Sequence, residues 1–251
     1  MTDLPGSDRL SAPAGVAAMV ADAHLPSGAE KTALVRSMFD TIAPRYDLVN
    51  RLMTFGLDVR WRRQSVRALG LPAGSRVLDL ACGTGDFLAI GSAAGLRPVG
   101  MDLSWGMLAW NHVGRPLAQA DAAALPAAGG SVDGVTCGYA LRNFADLGSV
   151  FEELGRVVRP GGRISLLEVA EPEHSLLRAG HRIWFQRVVP VLGGLLSDAA
   201  AYRYLPKSTA YLPATAELRS MLVSAGFSAV NQRPLSGGLS QLITATRGGR
   251  P

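Results

Sequence analysis

Two closely spaced glycines with aspartates on either side mark the stretch of this sequence best suited to holding a nucleotide-like ligand. Residues 76–86 are RVLDLACGTGD, so an apolar run ends in Gly83-Thr84-Gly85. Glycine allows a positive φ angle and a close approach of a ligand to the backbone. The amides that follow such a turn begin a helix N-terminus, which attracts polar and charged ligand groups.

The residues around the turn favour a ligand without phosphate. The dinucleotide fingerprint G-x-G-x-x-G needs a third glycine where this chain has Leu88, which would crowd the helix against the strand. Asp86, directly after the turn, would place a second negative charge beside a pyrophosphate. S-adenosylmethionine has no phosphate, and acidic neighbours such as Asp79 can hold its cationic amino group. The turn therefore fits S-adenosylmethionine better than NAD.

Carboxylates also end the next two predicted strands. Asp102 ends the second, where a carboxylate can accept hydrogen bonds from both ribose hydroxyls. Asp121, followed by Ala122, ends the third, where an adenine amino group can donate to it. An aspartate at a strand end is also a common turn former or helix cap. A glycine turn combined with carboxylates at three successive strand ends favours a nucleoside pocket.

Strands and helices alternate from residue 76 to the end of the chain, which predicts an α/β fold. The spacing predicts seven strands and helices over 86–94, 104–112, 146–158 and 215–225, with Ser104 as an N-cap. Such alternation is typical of a Rossmann-like, mostly parallel sheet covered by helices on both faces. In these sheets ligands bind beyond the carboxyl ends of the strands, where the glycine turn lies.

Three segments lie outside this alternation. Residues 1–28 are rich in Ala, Gly, Ser and Pro and predict a flexible tail. Residues 29–70 have the period of short helices interrupted by Pro44, and we expect a helical lid. Residues 174–212 are an apolar, aromatic and basic insertion that predicts a helical cover. Residues 29–251 then form a single domain.

The composition excludes several classes of protein. The net charge of +5 comes with no basic run interleaved with aromatics, so we expect no nucleic-acid partner. The two cysteines and four histidines lack metal-ligand spacing, so we expect no metal and a cytoplasmic, reduced protein. No apolar run is long enough to span a membrane, and the N-terminus lacks the features of a signal peptide.

Four stretches in order resemble one family. They are MFDTIAPRYDLVNRLMTFGLDVRWRR (38–63), VLDLACGTGD (77–86), GYALRNFAD (138–146) and RVVRPGGRISLLEVAEP (156–172). From about residue 37 onward the chain is similar to class I S-adenosylmethionine-dependent methyltransferases, and more narrowly to the C-methyltransferases of menaquinone and ubiquinone biosynthesis. Within these stretches the chain departs from the family pattern at Cys82, Gly138, residues 58–60 and Tyr139-Ala140.

The resemblance implies methyl transfer from S-adenosylmethionine to a ring carbon of a reduced quinone such as a demethylmenaquinol. It also implies a seven-stranded sheet and peripheral membrane contact. The donor contacts that it implies are Gly83, Thr84, Gly85, Asp102, Asp121 and Ala122.

A quinol ring carbon is a weak nucleophile until the neighbouring hydroxyl loses its proton, so the site needs a base or a cation. We hypothesise that Arg142 stabilises the phenolate or holds a water that takes the proton. Asn143 would hydrogen-bond the ring oxygen, and Tyr46 would shape the pocket or help deprotonation. The apolar and basic cover suits a prenyl tail or an anionic bilayer; a buried helix or a homodimer interface is the alternative.

Two other functions share these features. One is a methyltransferase of the same fold that acts at carbon or oxygen of a soluble aromatic or polyketide metabolite. The other is a binding subunit that has the fold and no longer transfers methyl groups. The intact glycine turn, the aspartates and Arg142-Asn143 favour an active enzyme.

Overall fold

A seven-stranded sheet forms the centre of the computed structural model, which describes residues 26–172, 174–189, 191, 194 and 197–249. Its strand order is β3-β2-β1-β4-β5-β7-β6. The strands are β1 Arg76–Leu80, β2 Arg97–Asp102, β3 Leu117–Gln119, β4 Val132–Gly138, β5 Val158–Val169, β6 Phe227–Leu235 and β7 Ser240–Arg247.

Only β7 runs against the general direction of the sheet. The strands β1 to β5 pair in parallel, whereas β7 is antiparallel to both β5 and β6. The chain moves outward from β1 to β2 and β3, then returns to place β4 on the other side of β1, where Leu80 is aligned with Cys137. Ligands of open α/β sheets bind at this kind of reversal. The predicted seven-stranded, mostly parallel sheet is confirmed.

Helices cover both faces of this sheet and its carboxyl edge. They are α1 Gly28–Ile42, α2 Tyr46–Thr54, α3 Leu57–Leu69, α4 Asp86–Ala93, α5 Trp105–Ala109, α6 Leu147–Val157, α7 Ser175–Ile183, α8 Ala199–Ser208 and α9 Thr215–Ser224. Pro44 lies in the single 3₁₀ turn between α1 and α2. One π-helical turn, Trp184–Val188, continues α7. Of the tail expected over residues 1–28, residues 1–25 lie outside the described part of the chain.

Helix α5 is shorter than its sequence pattern predicts. Ser104 caps it as expected, with Oγ accepting a hydrogen bond from the Met107 amide at 3.1 Å. The helix ends at Ala109 and does not reach His112. The reason is Asn111, whose side-chain amide donates to the Gly83 carbonyl (3.2 Å) while its Oδ1 accepts from the Val113 amide (3.1 Å). Such local bonds compete with the helical ladder, and here they join the end of α5 to the glycine turn.

Two of the core clusters formed by the described residues matter most for the position of the site. The larger lies between the sheet and helices α6 and α9, with Phe151, Leu154, Ile164 and Leu166 among its fully buried side chains. A second cluster joins the N-terminal helices to the segment after α7, and its buried members include Val35, Met38, Ile42, Val49, Val189 and Tyr204. Because this second cluster is shared, the N-terminal helices and the cover form one layer at the carboxyl edge of the sheet.

None of the helices within the described ranges is both long enough and apolar enough to cross a membrane.

Candidate active site

A first cavity lies at the carboxyl ends of β1, β2 and β4, where the sequence places the glycine turn. It has a volume of about 1020 Å³ with its open mouth included. Gly83, Asp102, Asp121 and Ala122 line it, as four of the predicted donor-binding residues. Helix α1 closes its other side with residues that include Val35 and Phe39, and therefore forms its roof.

Asp102 is held in place by the backbone. Its Oδ2 accepts a hydrogen bond from the Gly83 amide and its Oδ1 accepts from the Ser104 amide, both at 2.8 Å. Burial raises the pKa of this carboxyl, while the two backbone bonds act in the opposite direction. Each oxygen keeps a second lone pair, so Asp102 can still accept from a vicinal diol in the cavity.

The structure does not bring Asp79, Thr84 and Gly85 to the wall of this cavity. The Thr84 hydroxyl donates to Asp47 of α2 at 2.6 Å. Gly85 has a φ of +106°, and a Cβ there would lie 2.6 Å from the Val113 side chain, so glycine is required for the turn itself. Thr84 and Gly85 therefore shape the loop, and both face neighbouring protein groups, not the cavity.

Asp79 lies just before Leu80, which lines the cavity. It is 1 % exposed. Its Oδ1 accepts from the Thr136 hydroxyl at 3.0 Å, and its buried Oδ2 has no hydrogen-bond partner among the described residues. Burial raises the pKa of this carboxyl to about 8. A buried carboxylate oxygen without a hydrogen-bond partner suits a cationic ligand group that donates a hydrogen bond.

Acidic side chains of the N-terminal helices hold the loops around the cavity. Besides the contact of Asp47 with Thr84, Asp40 of α1 accepts from the Ser104 hydroxyl (2.6 Å) and the Gly106 amide (2.8 Å). A Cβ at Gly106 would lie 2.7 Å from the Asp40 Cα, so α1 approaches α5 as closely as glycine permits. The predicted lid is therefore attached to the loops around the first cavity, a connection that the sequence reasoning missed.

A network of four charges continues this attachment. Asp58 is 1 % exposed and accepts from Arg62 (2.6 Å), from Arg51 and from the Thr54 hydroxyl (2.8 Å). The same two arginines also pair with Asp86, at 2.5 Å for Arg51 and 3.4 Å for Arg62. The charge of Asp86 is thus compensated, so by itself it is a weaker obstacle to a phosphate than the sequence implied. The four-residue spacing of Asp58 and Arg62 on a helix was the available signal for their pairing.

Leu88 also differs from expectation. It is fully buried and meets β2 at Gly100, where a Cβ would lie 3.0 Å from the leucine Cδ1. The small residue that lets the helix approach the sheet is therefore Gly100 on β2, where the fingerprint has a glycine on the helix. Helix α4 packs on the sheet without crowding.

Lys31 connects the roof to the rest of the site. Its ammonium group donates to the Phe144 carbonyl at 2.7 Å and lies 3.5 Å from the centre of the Tyr211 ring. The Tyr211 hydroxyl in turn donates to the Pro26 carbonyl at 2.6 Å. Burial lowers the pKa of Lys31 to about 8. One buried lysine thus joins α1, the turn after β4 and the end of the cover.

A second, larger cavity adjoins the first. Its volume is about 1500 Å³ with its mouth included, and it lies between α1, α2, α3 and the cover. Most of its wall is apolar, from residues that include Met38, Ile42, Met53, Phe55, Trp61, Leu176, Leu177, Trp184, Phe185 and Leu239. Its charged and polar wall residues include Arg62, Arg142, Asn50 and His181. A cavity of this kind suits a large apolar molecule with a few polar atoms.

Arg142 is a buried wall residue of the second cavity. Its Nη1 pairs with Glu168, which is fully buried, and its Nε donates to the Ser208 hydroxyl at 3.1 Å. The Arg142 backbone amide donates to the other Glu168 oxygen at 3.3 Å. A guanidinium has five N–H donors, and these side-chain contacts use two of them. Arg142 is therefore positioned rigidly and can still donate to an oxygen in the cavity.

Asn143 lines the first cavity and is absent from the wall of the second. Residues 141–143 form one 3₁₀ turn, in which successive side chains point about 120° apart, so Arg142 and Asn143 face different cavities. The hydrogen bond expected from Asn143 to an acceptor ring oxygen stays a prediction. The buried Oδ1 of Asn143 has no partner among the described residues and is available on the donor side.

Tyr46 lines both cavities. Its ring packs edge-to-face on Phe39 at 5.9 Å. Burial raises the pKa of its hydroxyl, with Arg62 acting in the opposite direction. The side chain is therefore a protonated phenol at neutral pH, which can shape the pocket and donate a hydrogen bond but is a poor base.

Comparison with known proteins identifies the family. Residues 27–247 match the model of the ubiE/COQ5 methyltransferase family. The chain belongs to this family. It is 42 % identical over 221 residues to the ubiquinone/menaquinone biosynthesis C-methyltransferase UbiE of Syntrophotalea carbinolica, which covers 84 % of this chain and 93 % of that protein. It is 45 % identical over 204 residues to the demethylmenaquinone methyltransferase of Thermus thermophilus, covering 76 % and 91 %.

Solved structures show the same fold at low sequence identity. A methyltransferase from Thermotoga maritima, described as a possible histamine N-methyltransferase, superposes with a TM-score of 0.61 at 18 % identity, covering 85 % of this chain and 99 % of that one. A phosphoethanolamine N-methyltransferase of Haemonchus contortus in complex with S-adenosylmethionine gives a TM-score of 0.56 at 14 % identity, covering 75 % and 52 %. The ubiE/COQ5 member described here is an S-adenosylmethionine-dependent methyltransferase.

The charge network around Asp58 generates a prediction about stability. Asp58→Asn should lower the free energy of unfolding by about 3 kcal/mol, because the buried Arg62 loses its carboxylate partner at 2.6 Å and keeps only the longer contact with Asp86 at 3.4 Å. Urea unfolding followed by circular dichroism measures the change.

The matched control is Asp133→Asn, because Asp133 pairs with the partly exposed Arg159 at 2.5 Å. This substitution should cost less than about 1 kcal/mol. Equal losses for the two variants would contradict a special role for the buried network.

Proposed function

We propose that this chain transfers a methyl group from S-adenosylmethionine to a ring carbon of a reduced quinone that carries a prenyl tail. The observation that carries the proposal is the large apolar cavity next to the donor cavity, with a buried arginine in its wall. The names of the related UbiE and demethylmenaquinone methyltransferases support the same acceptor class.

The first cavity fits the donor. Asp102 would accept from the ribose hydroxyls, and Asp121 with Ala122 would contact the adenine. Asn143 lines this cavity and has a buried oxygen that no described residue satisfies, which suits a cationic amino group. Asp79 lies behind the wall, and its contact with that group stays a prediction. When bound, S-adenosylmethionine supplies an electrophilic methyl group and leaves as a neutral thioether.

The second cavity would bind the acceptor and make it nucleophilic. Transfer of the proton of the ring hydroxyl to a water molecule in the cavity would place negative charge on the hydroxyl oxygen and on the adjacent ring carbon. The Arg142 guanidinium would stabilise that charge and lower the pKa of the hydroxyl. The ring carbon gains the methyl group through its own electron pair and then loses its hydrogen as a proton, which restores the aromatic ring. The Tyr46 phenol would donate a hydrogen bond to the ring oxygen.

The mouth of this cavity would face a membrane. Leu176, Leu177, Ile183 and Phe55 are each more than half exposed, and Arg178 and Arg182 lie on the same helix as the first three. Exposed apolar groups next to arginines are typical of shallow contact with an anionic bilayer. Such contact would let a prenyl tail pass from the lipid into the cavity.

A direct test uses labelled S-adenosylmethionine with a panel of acceptors. The panel contains demethylated naphthoquinols and benzoquinols with and without prenyl tails, together with soluble phenols. We expect label on a ring carbon of a prenylated quinol, located by mass spectrometry and NMR. Preferred labelling of soluble phenols, or labelling at oxygen, would replace the proposal with that of a secondary-metabolite methyltransferase.

Arg142→Gln should reduce turnover of the quinol at least about 100-fold, the usual scale for loss of a group that stabilises developing charge. Donor affinity, measured by calorimetry, should stay within about threefold of the unmodified chain, because Arg142 does not line the donor cavity.

Loss of Arg142 alone leaves Glu168 buried without its partner, which could itself perturb the site. The double variant Arg142→Gln/Glu168→Gln removes both charges and should fold while remaining as inactive as the single variant. Near-normal turnover by the double variant would refute the role of Arg142.

Flotation with vesicles tests the membrane contact. The chain should float with vesicles that contain phosphatidylglycerol, and more weakly with pure phosphatidylcholine. The double variant Leu176→Asp/Leu177→Asp should weaken vesicle binding at least about tenfold. Each leucine that inserts into the lipid contributes about 1.5 kcal/mol or more to binding. Val223→Asp, at an exposed apolar position of α9, is the control and should bind normally. Equal flotation of the double variant and the control would argue against this surface.

A further inference from the structure

The two cavities share three wall residues, and all three are aromatic. Among the described residues only Phe39, Tyr46 and Tyr139 line both cavities. They come from three different elements: α1, the start of α2 and the segment directly after β4. We call these three residues the aromatic collar.

The collar is held in a fixed arrangement. The Phe39 and Tyr46 rings meet edge-to-face, with planes inclined by 73°. Tyr139 has a φ of +61°, an uncommon conformation for a residue with a side chain. Its amide donates to the Leu167 carbonyl at 2.6 Å, and its hydroxyl is 3.2 Å from the Ser240 hydroxyl. The backbone of Tyr139 is strained, and both its amide and its hydroxyl have partners. This combination indicates that the position of the ring is functionally important.

The charges near the collar are already compensated. Arg62 lies 5.5 Å from the Tyr139 ring centre and is paired with Asp58, while Arg142 is paired with Glu168. No carboxylate of the described residues lines both cavities. A cation located between the cavities therefore meets aromatic rings as its attractive surface.

Methyl transfer requires a cation at that place. If donor and acceptor occupy the two cavities as proposed above, the sulfonium centre must lie where the cavities join. Aromatic faces attract cations, and cages of such rings bind quaternary ammonium groups in other proteins. The product has a neutral sulfur at the same place and gains nothing from this attraction.

We propose that Phe39, Tyr46 and Tyr139 form a cation-binding subsite for the sulfonium centre, which makes the donor cavity prefer S-adenosylmethionine over S-adenosylhomocysteine. This inference deepens the proposed function and depends on its placement of the donor. The collar then acts in two ways: it directs the methyl group toward the second cavity, and it weakens retention of the product.

Isothermal titration of both ligands, without any acceptor, tests the subsite. Phe39→Leu and Tyr46→Leu keep an apolar side chain and remove the aromatic face. Each should weaken S-adenosylmethionine binding about three- to tenfold, the range expected for a partly desolvated cation–π contact. Binding of S-adenosylhomocysteine should change less than about twofold. The ratio of the two dissociation constants is a readout that a merely structural role would not change.

Tyr46→Phe and Tyr139→Phe are the matched controls, because they keep the ring and lose only the hydroxyl. Both should retain the ratio of the unmodified chain. Thermal unfolding of each variant without ligand identifies any that are misfolded, and the leucine variants at two independent positions, Phe39 and Tyr46, keep the test informative. Equal weakening of both ligands, or an unchanged ratio in the leucine variants, would overturn the proposal. Failure of the quinol panel with a changed ratio would refute the acceptor and leave the subsite intact.

Discussion

The attachment of the N-terminal helices to the glycine turn is the constraint on which both cavities depend. Asp47 accepts from Thr84 in the turn, Asp40 accepts from Ser104 and Gly106 after β2, and Asp58 is connected through two arginines to Asp86. Asp58 is buried, and a buried charge without a partner is costly, so its contacts strongly favour one position of the helices. The hydrogen bonds of Asp40 and Asp47 favour the same position. The N-terminal helices thereby contribute walls to both the first cavity and the second.

Two arginines in the wall of the second cavity, Arg62 and Arg142, are each paired with a carboxylate. Arg62 lies next to the Tyr139 ring and pairs with Asp58, while Arg142 pairs with Glu168. Such pairing fixes an arginine in one orientation without surrounding it with excess negative charge. A cationic donor and an acceptor that must become anionic can then occupy neighbouring cavities. In our proposal the aromatic collar between the cavities makes a cation–π contact with the sulfonium of the methyl donor. Toward the acceptor it provides an apolar wall.

The regular parts of this structure could be predicted from sequence because they depend on local periodicity. The seven strands and the Ser104 cap follow from patterns within a few residues, and the glycine turn is confined to one short stretch. The orientation of Asn143 could not be predicted, since a 3₁₀ turn and an extended strand end place that side chain on different sides. The partners of Asp86 and the contact between Asp40 and Gly106 join residues far apart in the chain, and no spacing encodes them. The glycine turn and the strand-end aspartates can therefore be read from local sequence, whereas the walls of the second cavity depend on packing between distant segments.

The contacts of Lys31 connect the walls of the two cavities. The lysine holds α1 to the carbonyl of Phe144, directly after the turn that contains Arg142, and contacts Tyr211 at the end of the cover. One buried ammonium group therefore connects α1, which roofs the first cavity, with the turn that carries Arg142 and with the end of the cover beside the second. A change at Lys31 would act on the walls of both cavities at once, although the residue lines neither of them.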